Sequence, residues 1–278
     1  MNVRPTEPPV VVIEAARGWW RLGLVDLWTH RELLYFLVWR DLKIRYRQTF
    51  FGVAWAVLQP VLLMAIFSVS LGRIPGIETS GVPYPLFVFA GLIPWTMFSQ
   101  GLAGASNSLV GGESIITKVY FPRLLLPVSA ICSFLPDLVI GLAILAILLA
   151  WFGAGISATA VWLPVFALLA IVVSAGAGTF LGAVNVRYRD VKHMVPFLVQ
   201  VWFFASPIVY SSSIIPAQWR WLYDLNPMTG VVEGFRWAVL GGEPPVQVAI
   251  ESVAVAVIVL VVALVYFGRA ERSFADVI

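Results

Sequence analysis

Residues able to do chemistry are few in this chain, and their spacing argues against an enzyme. His30 and His193 stand far apart, and no Cys, His or carboxylate cluster has metal-ligand spacing. The single cysteine, Cys132, lies in an apolar stretch and cannot close an intramolecular disulfide. There is no Gly-x-Ser-x-Gly elbow and no pair of carboxylates within an apolar segment. The closest approach to a nucleotide-binding Gly-x-x-x-x-Gly-Lys-Ser/Thr loop is Gly111 to Lys118, which lacks the glycine before the lysine. Any ATP hydrolysis must therefore come from another chain. Two features keep a functional reading open. Asp137, just after Pro136, is an acid inside an otherwise apolar stretch, and such a group is a functional candidate by default. Without an intramembrane Lys, Arg or second acid, a hydrogen-bonded structural role inside a bundle or at a subunit interface ranks ahead of a polar conduit. Arg40, Lys43 and Arg47 fall at i, i+3 and i+7, on one helix face. They suit an anchor beside anionic lipid, or attraction of a phosphate-bearing substrate.

The elements that must position these residues follow from composition. Of 278 residues, 60% are hydrophobic and 12% charged, against roughly 25% charged in soluble domains. With a mean hydropathy of +0.90, this is the composition of a polytopic membrane protein. The net charge of +3 and pI near 9.2 do not make it a nucleic-acid binder, because the basic residues follow a topology rule instead. The first ~30 residues mix Arg, Glu and Asp, so no cleavable signal peptide is expected.

Runs free of charge place the spans, since ~20 helical residues cross a bilayer. Residues 48–72, 79–112, 194–219 and 252–268 each hold one. The run 138–186 is too long for one crossing and breaks at the turn-like patch Gly153–Thr159, bracketed by Trp151 and Trp162 at an expected aromatic belt. Six spans result, near 52–72, 86–106, 128–151, 161–184, 195–213 and 247–268. Fifteen of the eighteen Lys and Arg then share one side, leaving Arg73, Arg220 and Arg236 on the other. This asymmetry puts both termini in the cytoplasm.

Three stretches do not span. Residues 1–27 read as a flexible cytoplasmic tail, with Pro5, Pro8 and Pro9 in its first ten residues. Leu33–Trp39 is apolar but too short to cross, so it belongs in the headgroup region. In the loop Ser106–Arg123, Gly111-Gly112 breaks the helix, Glu113 starts a short one and Pro122 ends it. That short helix suits the membrane surface or a groove on a soluble partner. The outer segment 214–246 carries Trp219, Trp221, Tyr223, Phe235 and Trp237 beside Asp224, Glu233 and Arg236. Asn226-Pro227 splits it into two short helices, an external cap or gate, or else a plain interfacial belt.

Four motifs, in order along the chain, resemble a known family. They are Arg31-Glu-Leu-Leu with Trp39-Arg-Asp-Leu-Lys-Ile-Arg-Tyr-Arg-Gln-Thr-Phe-Phe-Gly-Val-Ala-Trp55 and Pro60; Val119-Tyr-Phe-Pro-Arg123; Asn185-Val-Arg-Tyr-Arg-Asp-Val191; and Asn226-Pro-Met with Gly234-Phe-Arg-Trp and Leu240-Gly241. From about residue 28 onward the chain resembles the permease subunits of bacterial ABC exporters of polysaccharide, the O-antigen, teichoic-acid and capsule (Wzm-like) exporters. The resemblance implies an all-α integral membrane protein of the ABC-2 type over residues 28–278, with six transmembrane helices, an N-terminal interfacial helix, a cytoplasmic coupling helix and short external gate helices. It also implies a homodimer in the bacterial inner membrane, working with two copies of a cytoplasmic ATPase that binds the ATP and Mg. This chain itself would carry no cofactor, no catalytic residue and no metal.

What the resemblance implies for single residues can be stated. Glu113, Lys118, Tyr120 and Arg123 would contact the ATPase. Arg45 and Arg47 would meet the pyrophosphate of a polyprenyl-linked glycan. Trp55, Trp95, Trp202, Phe203 and Tyr210 are candidates to line the glycan channel, because aromatic faces cover the C–H side of sugar rings; lipid-facing or bundle packing is the alternative for each. Trp219, Trp221, Asn226 and Arg236 would belong to the external gate. An ABC exporter permease for a drug or lipid is the nearest alternative. An integral-membrane enzyme acting on polyprenyl-linked sugars is more distant, since Asp137 alone supplies no catalytic constellation.

Overall fold

The computed structural model describes residues 24–47, 52–72 and 81–277. Among these residues every regular element is helical. The first 23 residues of the expected tail lie outside them, and its last four already belong to a helix, α1 (Leu24–Thr29). Next come α2 (Arg31–Arg47) and α3 (Gly52–Ser70). The Gly111-Gly112 pair divides α4 (Tyr84–Gly111) from the four-residue α5 (Glu113–Ile116). This short helix stops well before Pro122 because the chain turns at Thr117, whose hydroxyl donates back to the Glu113 carbonyl at 3.0 Å.

The third apolar helix is broken. α6 (Leu125–Cys132) and α7 (Leu135–Trp151) meet at Ser133-Phe134. Pro136 has no N–H to continue the ladder, and the Asp137 N–H turns to the Phe134 carbonyl at 3.1 Å instead of the Ser133 carbonyl. Gly153, with φ +68°, then supplies the left-handed residue of the turn between the third and fourth apolar helices. α8 (Leu163–Arg187) follows, with a proline in its first turn.

The fifth apolar helix is shorter than its sequence predicts. α9 runs Val191–Phe204, not through residue 213. Pro207 cannot extend the ladder, and residues 205–211 turn back with the Tyr210 hydroxyl on the Phe204 carbonyl at 2.7 Å. The segment before the last helix divides as its turn signal predicts. α10 (Ala217–Asp224) and α11 (Pro227–Leu240) are separated at Asn226, which caps α11 by accepting from the Met228 N–H at 3.0 Å. Gly241 ends α11 at φ +78°. The last helix, α12 (Val246–Val277), continues past the expected 268.

Among the described residues, four helical stretches are long and apolar enough to cross a membrane: Tyr84–Gly111, Leu125–Trp151, Ala158–Arg187 and Val246–Glu271. The apolar stretches Ala54–Ser70 and Val191–Phe204 are shorter. At 1.5 Å per residue, α9 rises only about 21 Å.

α4 is the central helix. Of its most apolar window 78% is buried, against 22% for that of α12. Neighbouring cores stack along it, three of them large. Leu109, Phe121, Leu125, Val186, Phe267 and Phe274 pack around Leu37 of α2 at one end. Trp95, Phe98, Leu102, Val173, Val195 and Val231 form another core. Phe89, Leu145, Leu149, Phe166 and Phe235 close the opposite end beneath α11.

Candidate functional site

At the α2 end, α5 stands at the surface. Glu113, Lys118 and Tyr120 are all exposed, Tyr120 to 81%, and Val119 beside it to 57%. An exposed aromatic and a β-branched residue flanked by both signs of charge offer a protruding contact patch. Arg123 does something different. Its guanidinium donates to the Glu271 backbone carbonyl, its N–H lies 3.3 Å from Glu271 Oε1, and its Cζ sits 5.9 Å from the centre of the Phe274 ring. It ties the loop to the end of α12.

On α2, the two arginines of the expected phosphate site part company. Arg47 is exposed. Arg45 is turned inward: Nη2 lies 3.1 Å from Asp137 Oδ2, donates to the Tyr46 hydroxyl at 2.8 Å and to the Ser133 carbonyl at 2.8 Å, and the guanidinium lies 4.2 Å over Phe134. The Ser133 carbonyl is the acceptor released by the helix break, so the arginine fills a vacancy in the ladder and pairs the half-buried acid at once. Tyr46 donates its hydroxyl to the other oxygen of Asp137. Nearby, Ser129 donates to Asp41 at 3.2 Å, a second link between α2 and α6. Asp137 thus has partners that sequence proximity could not reveal, since they come from residues some ninety positions earlier.

Four of the five candidate channel aromatics come together. Trp95 is 5% exposed and packs on Phe98 and Phe203, with ring centroids 5.2 and 5.5 Å away. Phe203 also stacks on Phe67 of α3 at 5.8 Å. Trp202 meets Phe98 edge-on at 4.8 Å and donates its Nε1–H to Asn226 Oδ1 at 2.8 Å. The Tyr210 hydroxyl accepts from Tyr223 at 3.1 Å. Trp95 belongs to the interior of the fold, whereas Trp202, Phe203 and Tyr210 are half-buried. Trp55 stands apart on α3, 57% exposed.

Asn226 joins this cluster to the α10–α11 pair. Besides capping α11, its amide donates to the Ala205 carbonyl at 3.0 Å and the Ser206 hydroxyl at 2.9 Å. Trp219 and Trp221 of α10 are exposed. Arg236 is 7% exposed and held by backbone: Nε donates to the Phe87 carbonyl at 3.0 Å, Nη2 donates to the Ile208 carbonyl, and the guanidinium covers the Phe87 ring at 3.6 Å. Burial lowers its pKa to about 9, opposed first by the Glu233 carboxylate, so it stays protonated at neutral pH. Burial likewise raises the Glu233 carboxyl, against the pull of a Ser212 hydrogen bond and of Arg236. Asp224 is raised by burial and by the charge of Glu251. Tyr223 is pushed well up by burial and by its bond to Tyr210.

The sequence profile of the ABC-2 type transporter family matches residues 32–240 of the 278. This chain belongs to that family. The ABC-2 chain is 31% identical to the O-antigen export system permease protein RfbA of Myxococcus xanthus, over 90% of its own length and 97% of the relative's. It is 24% identical to the O-antigen export system permease protein RfbA of Klebsiella pneumoniae, over 89% and 95% of the two chains. To the polysialic acid transport protein KpsM of Escherichia coli the identity is 28%, over 73% and 79%. The family match begins inside α2 and ends at the last residue of α11, so it embraces both the Arg45–Asp137 pair and the Arg236 clamp of this ABC-2 transporter chain.

Proposed function

We propose that the chain is the channel-forming permease subunit of an exporter moving a polyprenyl-pyrophosphate-linked polysaccharide across the bacterial inner membrane. ATP hydrolysis in a separate, Mg-dependent ATPase drives it. The observation that carries this reading is the match along almost the full length of an O-antigen export permease. In the proposed arrangement six spans put both termini in the cytoplasm, two copies form the channel, and two ATPase subunits dock below.

The geometry supports a division of labour. The exposed Glu113, Lys118, Val119 and Tyr120 supply the surface for the ATPase, while Arg123 transmits its displacement to α12. Arg47, with Lys43 also exposed on α2, meets the pyrophosphate through charge-assisted hydrogen bonds. Arg45 is committed to Asp137 and holds α2 in place. A hydrated sugar chain cannot enter hydrocarbon unaided, because every hydroxyl left without a partner costs several kcal/mol. Aromatic surface at Trp55, Trp202, Phe203 and Tyr210 covers the C–H faces of its rings without demanding one sequence of sugars. The α10–α11 pair, pinned by Asn226 and Arg236, forms the outer gate.

The test is depletion of the protein in its host, followed by leaflet-resolved extraction and sizing of lipid-linked glycans. Polymer accumulating in the cytoplasmic leaflet while surface glycan is lost is the expected result. Unchanged glycans on both sides would leave a drug or lipid exporter as the better reading.

A further inference from the structure

α3 carries two polar features that its own helix does not satisfy. Pro60 has no N–H, so the Ala56 carbonyl one turn earlier loses its helical donor. The Gln59 amide forms no hydrogen bond with another described residue. Both features border a narrow cleft whose other polar walls are Thr96 and Gln100 of α4 and Asp137 of α7. Gln59 and Gln100 lie near the midpoints of α3 and α4. Asp137 stands in the first turn of α7, and that turn falls near the middle of the third apolar stretch, Leu125–Trp151. In a spanning bundle no bulk lipid can satisfy polar groups at that depth, so each one left without a partner is costly. Among the described residues, no side-chain hydrogen bond joins α3 to α4 or α7.

Size and charge decide what fits. The cleft encloses about 20 Å3, and about 10–15 Å3 is enough for one water. A carboxylate can accept about four hydrogen bonds, and at Asp137 Tyr46 donates to one oxygen while Arg45 lies 3.1 Å from the other. Acceptor positions therefore remain, but Arg45 balances the charge and leaves little to attract a metal ion. Thr96 spends its hydroxyl proton on the Ile93 carbonyl at 2.9 Å. The Gln100 amide, like that of Gln59, has no hydrogen bond with another described residue. Two acceptors and two carboxamide donors thus surround a space of one water's size, which needs two to four such partners.

We propose that the cleft holds a single ordered water that donates to Asp137 and to the Ala56 carbonyl and accepts from the Gln100 amide, with Gln59 as its alternative donor. This water is the polar tie between α3 and the α4–α7 pair. Because it can exchange one amide for the other, α3 can shift against that pair without stranding either acceptor. The inference is independent of what the exporter carries.

The experiment uses the full chain with its ATPase in lipid nanodiscs. A short X-ray pulse turns water into hydroxyl radicals that mark only side chains beside it, read by mass spectrometry. Ile93 lines the cleft and is 2% exposed, so in the wild type it is expected to be marked at least fivefold faster than Leu86, which is fully buried. Gln100→Met, which keeps the shape and removes the donor, is expected to bring Ile93 down to the level of Leu86. An unmarked Ile93 in the wild type would overturn the proposal, and so would marking that the variant leaves unchanged. A cryo-EM map of the wild-type complex decides the matter without any variant. A peak about 2.7–3.2 Å from both Asp137 and Gln100 supports the water. Contacts of about 2.3–2.6 Å, as calcium makes, or a direct bond between Gln100 and Asp137 would defeat it.

Discussion

Arg236 donates from Nε to the carbonyl oxygen of Phe87, 149 residues earlier in the chain, and lays its guanidinium 3.6 Å from the centre of the Phe87 ring. One side chain thereby fastens α11 to the first turn of α4, and through Ile208 to the turn that follows α9. Backbone carbonyls, not a carboxylate, are its direct partners, so the clamp works by directional hydrogen bonding in a dry setting.

Removing that clamp leaves the Ile208 carbonyl unsatisfied, at about 1–3 kcal/mol, and strips the Phe87 carbonyl of its second donor. Arg236→Leu is therefore expected to lower the thermal unfolding midpoint of the detergent-solubilised protein markedly, and Arg236→Lys to recover only part of the loss because a single ammonium lacks the planar fork. Gly91→Ala attacks the same contact from α4, where a Cβ would lie 2.7 Å from Arg236 Nη2. It should lower the midpoint in the same direction.

The outer helix pair should tighten on acidification. Glu233 has a carboxyl raised by burial, so the folded protein binds its proton more strongly than the unfolded chain does. Its contribution to stability is complete below the unfolded-state value and is lost as pH rises through the raised folded-state value. Asp224 has the same sign. Hydrogen exchange over residues 205–240, compared at equal intrinsic rates, should slow as pH falls from neutral through that window. Glu233→Gln should flatten the response, and an unaltered response in that variant would refute the assignment.

The Arg45–Asp137 pair predicts strong coupling. Breaking a buried pair from one side costs about 3–5 kcal/mol, and the partial exposure of both side chains here, 27% and 17%, places the expected cost below that range. Asp137→Leu and Arg45→Met should each destabilise the protein, while the double variant regains much of the loss. A thermodynamic double-mutant cycle giving zero coupling would mean that the two groups act independently.

Small residues fix how closely α11 approaches its neighbours. A Cβ at Gly234 would overlap the Phe166 ring, and one at Gly230 would lie 2.7 Å from the Val248 carbonyl. Gly234→Ala should cost about 1–3 kcal/mol through overpacking, seen as a lower unfolding midpoint, with Phe166→Leu in the same chain relieving part of it.

At the other end, replacing Glu113, or deleting residues 110–121, should leave membrane insertion intact while separating ATP hydrolysis from export in the assembled complex. Loss of insertion in the deletion variant would instead make the loop structural. Arg123→Ala should do less to docking and more to the end of α12, detectable as faster proteolysis beyond Glu271.

Much of this architecture was legible in the residues because hydrophobic runs, glycine pairs and prolines act locally. The Gly111-Gly112 break, the turn at Gly153 and the cap at Asn226 stand where short-range signals put them. Two extents were misjudged for a related reason. Absence of charge marks what can enter a membrane but not where a helix stops, so Pro207 ended α9 inside an unbroken apolar run, and α12 continued through its charged tail. Long-range pairing was not legible at all. Nothing in the spacing of Arg45 and Asp137 announces that the helix break before Asp137 frees a carbonyl for the arginine, or that Arg123 would meet Glu271. Of the helix-face pattern at Arg40, Lys43 and Arg47, Arg40 turned to its neighbour Asp41 at 2.7 Å.

The glycines of α8 have a mechanical consequence. A Cβ at Gly178 would stand 2.7 Å from Ala105 Cβ, one at Gly182 2.9 Å from the Ala105 carbonyl, and one at Gly176 3.0 Å from the Leu260 backbone nitrogen. Backbones that touch this closely cannot slide past each other without opening voids, so α4, α8 and α12 form a chassis that moves as one piece. α3 meets it through flexible Met, Leu and Phe side chains instead, and α9 through Val, Trp and Phe side chains. The cheapest hinge lines of the molecule therefore run along those two helices, where contact is made by side chains that can repack.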